Sequence, residues 1–208
     1  MIDYLRDPDA IYAQSFATIR AEADLAGLGD DMQDVAVRMI HACGVVEIAP
    51  HIRASEDVVE KIEFALVERA PILCDCDAVR SSIIDRYLHG NELVLTLNDP
   101  RVPALARQLR TTRSAAAVEL WRDKLRDAIV VIGNAPTALF HLLELLDAGV
   151  PKPAAIIATP VGFVGAVESK AELSLDTHGV PFITLLGRRG GSAIAAAALN
   201  AIARGIAT

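Results

Sequence analysis

Cysteine is scarce in this 208-residue chain, and Cys43, Cys74 and Cys76 make no disulfide framework. Cys74-Asp75-Cys76 lacks the second pair that a zinc site needs, so buried or partly buried thiols are expected and no metal. No apolar run is long and unbroken enough to span a bilayer. The acidic start MIDYLRDPD has no apolar segment of the signal-peptide kind. The expectation is a cytoplasmic protein that does not associate with membranes. Basic charge is also in deficit, with 20 Lys and Arg against 27 Asp and Glu and a net charge of −7. Generic nucleic-acid binding needs the opposite balance. Gly190-Gly191-Ser192 lacks the Gly-Lys-Ser/Thr ending of a phosphate loop, and no dinucleotide fingerprint is present. There is no internal repeat, low-complexity segment or domain break, so residues 1–208 are read as a single domain.

What the chain does have is apolar content, 52% of its residues, enough for a sizeable core. The stretch from Ala128 to Leu146, AIVVIGNAPTALFHLLELL, organises the rest. Ile129–Ile132 is a short β-branched run, the pattern of a strand buried on both faces. Gly133-Asn134-Ala135 breaks it, and Pro136 suits the first turn of a helix. Leu139, Leu142, Leu143 and Leu146 then recur at helical spacing. In parallel α/β sheets, ligands bind outside the carboxyl ends of the strands. The free N–H groups of the new helix favour anions there.

Two helices precede this unit. Asp7-Pro8 is a capping start, followed by a stripe of Ile11, Ile19 and Ala23. Ser15 lies within that stripe, so its hydroxyl needs a partner. A bond back to the carbonyl of Ile11 is the commoner outcome, and a ligand contact is the functional one. Met32, Val35, Ala36, Met39 and Cys43 mark the buried stripe of the second helix, with Val37, Ile40 and His41 flanking it. Gly44 is placed to end that helix in a left-handed conformation. His41 therefore lies in the last turn, where the helix dipole favours an imidazolium. That location suits either a proton donor or a plain cap of the last carbonyls, and spacing alone favours the cap.

The remainder alternates. A polar amphipathic helix over 55–69 precedes a strand at 70–75, with Asp75 and Asp77 read as caps of the following helix. Further strands are expected at 92–97, 154–159 and 181–186. Thr112 caps a helix over 114–125 and puts Arg113 in its first turn, where a cation is disfavoured unless an anion is near. The commoner reading of Arg113 is a solvated surface arginine. Glycine-bearing turns at Gly162 and at Gly187–Ser192, the latter holding Arg188 and Arg189, join the Gly133-Asn134 turn. The expected fold is α/β, three-layered, with a mostly parallel sheet of about five strands flanked by helices and an N-terminal helical region. Right-handed crossovers gather the turns on one side of the sheet. That edge would suit a ligand bearing several carboxylates or phosphates.

The blocks HACG at 41–44, APILCD, TRSAAA at 112–117, GNAPTALFHLLE, PKPAAIIATPVGFVGAVESK and GRRGGSAIAAAALNAIAR follow in order along nearly the whole chain. Together with AIYAQSFATIRAEAD, they make the chain resemble the precorrin-8X methylmutase family of cobalamin biosynthesis. The resemblance implies an intramolecular shift of a methyl group from C-11 to C-12 of a corrin precursor, giving hydrogenobyrinic acid or its cobalt-containing counterpart. It implies no cofactor, a homodimer with sites near the interface, and His41 as the residue that gives a proton to the macrocycle and takes it back. Ser15 matches a substrate-contacting serine. Arg113 is the next candidate, for a carboxylate arm, followed by Arg189, Asn134 and Gly162. His89, His141 and His178 receive structural readings, and His51, in the stretch between Glu47 and Ala70 that departs from the family pattern, has no family role. Product transfer to a neighbouring enzyme of the pathway is compatible with all of this.

Two other readings share these features. A corrinoid carrier would bind the intermediate without turnover and would not need a titratable histidine. A phosphate-ligand α/β enzyme, such as a nucleotide transferase, would need a phosphate motif that is incomplete here.

Overall fold

The computed structural model describes residues 2–175 and 178–206. Asp7 caps α1 (Pro8–Glu22) by accepting from the Asp9 N–H. Helix α2 (Asp30–Cys43) ends at Gly44, whose φ of 68° is the left-handed stop expected from the sequence. One 3-10 segment, Val46–His51, then leads into β1 (Ile52–Ala54) and α3 (Val58–Val67).

Alternation begins there. Strand β2 (Ile72–Cys74) precedes α4 (Asp77–Ser82), and β3 (Leu93–Leu95) precedes α5 (Val102–Leu109) and α6 (Arg113–Glu119). Next come β4 (Ile129–Ile132), α7 (Pro136–Asp147), β5 (Ala155–Ala158), α8 (Ala166–Ser174), β6 (Phe182–Leu185) and α9 (Ser192–Ile206).

Among the described residues the sheet has six strands in the order β1-β6-β5-β4-β2-β3. All neighbours are parallel except β1, which pairs antiparallel with β6 through Ile52 opposite Leu185. The sequence reading counted about five strands. It passed over β1, a three-residue edge piece too short to show a period. It also missed α5, which Arg110 ends in a left-handed conformation at φ 52°. The helix expected over 114–125 stops at Glu119 and gives way to a 3-10 turn at Arg122–Lys124. Trp121 and Leu125, on either side of that turn, are both fully buried.

Strand side chains alternate between two cores. Ile129 and Val131 face α2, α3 and α9, whereas Val130 and Ile132 face α7 and Trp121. Helix α2 is buried on more than the predicted stripe, since Val37 and Ile40 are also inside. Helix α1 is the opposite case. Only Ile19 is buried in it, and Ile11, expected inside, is exposed.

Strands β2 and β3 step outward in one direction, and β4, β5 and β6 step in the other. The reversal between β2 and β4 is the place where such sheets open a crevice. Here it is closed tightly. A Cβ on Gly133 would lie 2.6 Å from the Ser192 Cα at the start of α9. The strap from Gly187 to Gly191 is pinned just as closely to the end of β5. A Cβ on Gly190 would lie 2.2 Å from the Thr159 carbonyl oxygen. The Gly191 N–H donates to that oxygen at 2.8 Å, and the Gly162 N–H donates to the Arg188 carbonyl at 3.2 Å. Lys170, fully buried in α8, donates to the Arg189 carbonyl at 2.6 Å. Burial pushes the Lys170 ammonium down to about 8.

Two outcomes follow for stability. Gly133→Ala forces α9 away from the turn and is expected to cost about 1–3 kcal/mol in urea unfolding; an unchanged midpoint would mean that the contact is not tight. Lys170 titrates lower in the folded chain than in the unfolded one, so the unfolded chain holds more protons between pH 8 and 10. Wild-type stability relative to Lys170→Met is therefore expected to rise by roughly 2 kcal/mol from pH 7 to pH 10. A pH-independent difference would contradict it.

Candidate active site

The turn after β4 carries the backbone donors that made it an expected anion site. The structure fills them from within. Asp75, at the end of β2 and nearly fully buried, accepts from the N–H groups of Gly133 at 3.0 Å and of Asn134 and Ala135 at 2.9 Å. A carboxylate is a strong acceptor for such a set of amides. This corrects two expectations. Asp75 caps the start of α7 across the sheet rather than the helix that follows it, and Asn134 offers no free backbone donor to a ligand. Asp77 does not cap α4 as expected: it is the first residue of the helix, Cys76 stands at the N-cap with no side-chain cap bond, and the Asp77 carboxylate accepts from the Asn98 side chain at 2.9 Å instead. The N–H of Gly162 is likewise taken, by Arg188.

The imidazole of His41 is open by contrast. It lies in the last turn of α2, exposed, on the side that meets α1. The Ser15 hydroxyl stands 2.9 Å from His41 Nδ1. That is neither the back-bond to Ile11 nor a bare ligand contact; the hydroxyl orients the ring. Thr18, one turn along α1, makes the ordinary back-bond instead, to the Gln14 carbonyl at 2.9 Å. The Tyr12 and Phe16 rings lie 5.6 and 5.4 Å from the imidazole, centroid to centroid. Three α1 side chains one turn or less apart thus enclose the ring from one side. With Nδ1 engaged, His41 Nε2 has no hydrogen-bond partner among the described residues. A cavity of about 460 Å³ opens beside it, with Leu5, Ile11, Ser15, Ile40, His41 and Val46 in its walls. None of the sheet-edge turns lines this cavity. His41 and Ser15 are therefore brought together, while Gly162 and Arg189 lie at the strap and Asn134 at the turn after β4.

Arg113 stands apart from both groups. It opens α6 behind the Thr112 cap and donates to the Leu97 carbonyl at 3.3 Å, at the far edge of the sheet by β3. Arg188 and Arg189 are exposed, and Arg188 lies over the Phe163 ring, 5.4 Å from its centroid. His141 pairs with Glu119 at 2.8 Å, and His178 with Asp147 at 2.9 Å. The cysteines are free, and burial pushes the Cys74 thiol up to about 12. Among the described residues no group of three or more His, Cys, Asp or Glu is arranged to hold a metal ion.

Tyr12, Phe16 and Asp75 were not singled out for these roles in the sequence. An aromatic pair at i and i+4, with Ser15 beside it, was the available signal for the first two. Nothing local marks Asp75, whose amide partners lie about sixty residues further along the chain.

A family model described as precorrin-8X methylmutase matches residues 10–205. The Pseudomonas aeruginosa precorrin-8X methylmutase is 56% identical over 204 residues, covering 98% of each chain. A Sinorhizobium precorrin-8X methylmutase is 55% identical over 203 residues, covering 97% of each. The Priestia megaterium cobalt-precorrin-8 methylmutase is 34% identical over 197 residues, covering 94% of this chain and 87% of that one. A solved precorrin-8x methyl mutase from Thermus thermophilus superposes with a TM-score of 0.85 at 37% identity, covering 96% of each chain. Matched along nearly its whole length in sequence and in fold, the chain belongs to the precorrin-8X methylmutase family, isomerases of cobalamin biosynthesis.

Proposed function

We propose that this protein converts precorrin-8X to hydrogenobyrinic acid by moving a methyl group from C-11 to C-12, with His41 as general acid and base. The observation that carries the reading is the Ser15 Oγ–His41 Nδ1 contact of 2.9 Å on the wall of an open cavity. It leaves Nε2 as the nitrogen that faces a ligand. Substrate and product are isomers, so the proton lent to the macrocycle returns to the imidazole and no co-reactant is consumed. Imidazole suits that exchange because it changes charge near neutral pH. Fixing a rigid macrocycle against one oriented proton donor uses the two levers that such a rearrangement offers.

The cobalt-free substrate is part of the proposal. It rests on the relatives at 56% and 55% identity, which carry the precorrin-8X name, whereas that at 34% carries the cobalt-precorrin-8 name. A homodimer is proposed on the exposure of Leu5, Ile11 and Tyr12 around the His41 cavity, apolar surface that a second copy would cover. Arg113 and Arg189 are proposed to hold carboxylate arms of the substrate, with Asn134 and Gly162 shaping the edge near Arg189. One domain in the cytoplasm completes the reading. No helix of the described residues is long and apolar enough to cross a membrane.

His41→Ala is expected to lower turnover by about two to four powers of ten while hydrogenobyrinic acid still binds. Absorption spectroscopy of the pigmented ligand reads both quantities. Turnover equal to wild type would remove the acid role, and binding without turnover by the wild type would make the protein a carrier.

A further inference from the structure

The strap between β6 and α9 is pinned through its backbone while its two arginine side chains stay exposed. Gly162 donates its N–H to the Arg188 carbonyl at 3.2 Å, and Lys170 donates to the Arg189 carbonyl at 2.6 Å. Gly190 has no room for a side chain against Thr159. Gly191 donates to the Thr159 carbonyl at 2.8 Å and accepts from the Thr159 hydroxyl at 3.3 Å. Four consecutive residues are thus fixed in place. Arg188 and Arg189 are both exposed, and neither is in an ion pair among the described residues. Arg188 is engaged with the Phe163 ring, which leaves Arg189 as the uncommitted guanidinium of the strap.

The root of the strap is tied to the segment that borders the His41 cavity. Leu186 donates its N–H to the His51 carbonyl at 2.9 Å. His51 ends the 3-10 segment that begins at Val46, and Val46 is a wall residue of that cavity. At about 2 Å per residue, roughly 10 Å of this segment lies between the two.

Lys170 is the unusual member of the set. It is fully buried in α8, and its side chain makes one hydrogen bond among the described residues, to the Arg189 carbonyl. Burial alone accounts for its lowered pKa, so no neighbouring carboxylate offsets the desolvation. An apolar residue would seal the same place without that cost. What the ammonium does that an apolar residue cannot is hold the peptide between Arg189 and Gly190. That fixes the direction in which the Arg189 side chain leaves the strap. Ordering an arginine before its ligand arrives removes part of the entropy cost of binding. The guanidinium fork then matches a carboxylate through paired N–H groups.

We infer that Lys170 is a positioning residue for substrate recognition, its bond to the Arg189 carbonyl setting the strap so that the Arg189 guanidinium receives a carboxylate arm of the corrin. The inference rests on the function proposed above, with Arg189 as an arm-holding residue, and adds the group that holds Arg189 in place. Lys170 touches no substrate and acts only through the strap.

The test is a double-mutant cycle. Hydrogenobyrinic acid and its methyl ester are titrated into wild type, Lys170→Met, Arg189→Gln and the double variant, and turnover is measured on each. Lys170→Met is expected to weaken binding of the acid by about three- to thirtyfold, to change ester binding by less than about twofold, and to raise KM more than it lowers kcat. In the Arg189→Gln background the same substitution should change acid binding by less than about twofold, as when one residue acts through the other. A lysine that only stabilises the fold would weaken acid and ester alike and would keep its effect without Arg189; either result overturns the inference. If Lys170→Met does not fold, the wild type supplies a second measurement. The buried Lys170 ammonium, followed by nitrogen-15 NMR of lysine-labelled protein, is expected to shift when the acid binds, and an unmoved signal at saturation overturns the inference. Acid binding within about twofold of wild type in Arg189→Gln removes the arm-holding role of Arg189 and the inference with it, and leaves the methyl shift at His41 standing. A wild type that binds neither ligand ends the proposed function itself.

Discussion

A single hydroxyl-to-imidazole contact joins the two N-terminal helices at the point where chemistry is proposed. Ser15 and His41 are 26 residues apart, and their 2.9 Å approach is set by α1 lying along α2. Without it the imidazole would turn freely at an exposed helix end, and neither ring nitrogen would have a fixed direction. With it, and with Tyr12 and Phe16 against the ring, one nitrogen is committed to the protein and the other has no hydrogen-bond partner among the described residues. The α1 helix is otherwise weakly anchored, with Ile19 its one buried residue. The Arg20–Asp34 ion pair, one turn beyond Ser15, and the Asp7 cap supply the rest of its order. The geometry of the proposed donor therefore depends on a helix held at the surface of the core rather than within it.

The carboxyl edge of the sheet, where ligands of α/β proteins usually sit, has been spent on structure at its centre. Asp75 occupies the amide cluster that an anion would otherwise use, and Gly133 lets α9 press against the same turn. A buried carboxylate at that spot repels phosphate and carboxylate alike. Anion recognition then falls to side chains instead of backbone amides. Arg188 and Arg189 ride on a strap held from behind by Lys170.

Much of the fold was legible because its signals are local. The run Ile129–Ile132, the Pro136 helix start, the Asp7 and Thr112 caps and the Gly44 stop all stand where the residues placed them. Strand β1 escaped because its three residues are defined by pairing with β6, a partner far along the chain. Ile11 was misplaced because a stripe at helical spacing says which residues share a face, not whether that face is covered. His41 stood out by its helix end and Ser15 as a polar break in an apolar stripe, but spacing alone favoured a plain cap and a back-bond, and the family resemblance supplied their functional roles. Their contact could not be named, since nothing local relates position 15 to position 41. The same limit hid Asp75, whose role exists only once β2 and β4 are neighbours.

The central claim is that His41 alone among the histidines meets the macrocycle, through the nitrogen that Ser15 leaves free. Nitrogen-15 NMR of histidine-labelled protein, titrated with hydrogenobyrinic acid, addresses it directly. The chain has five histidines, so each can be assigned by substitution. The account predicts that the Nε2 signal of His41 moves on binding while those of His51, His89, His141 and His178 hold still. An unmoved His41 signal at saturation would contradict it.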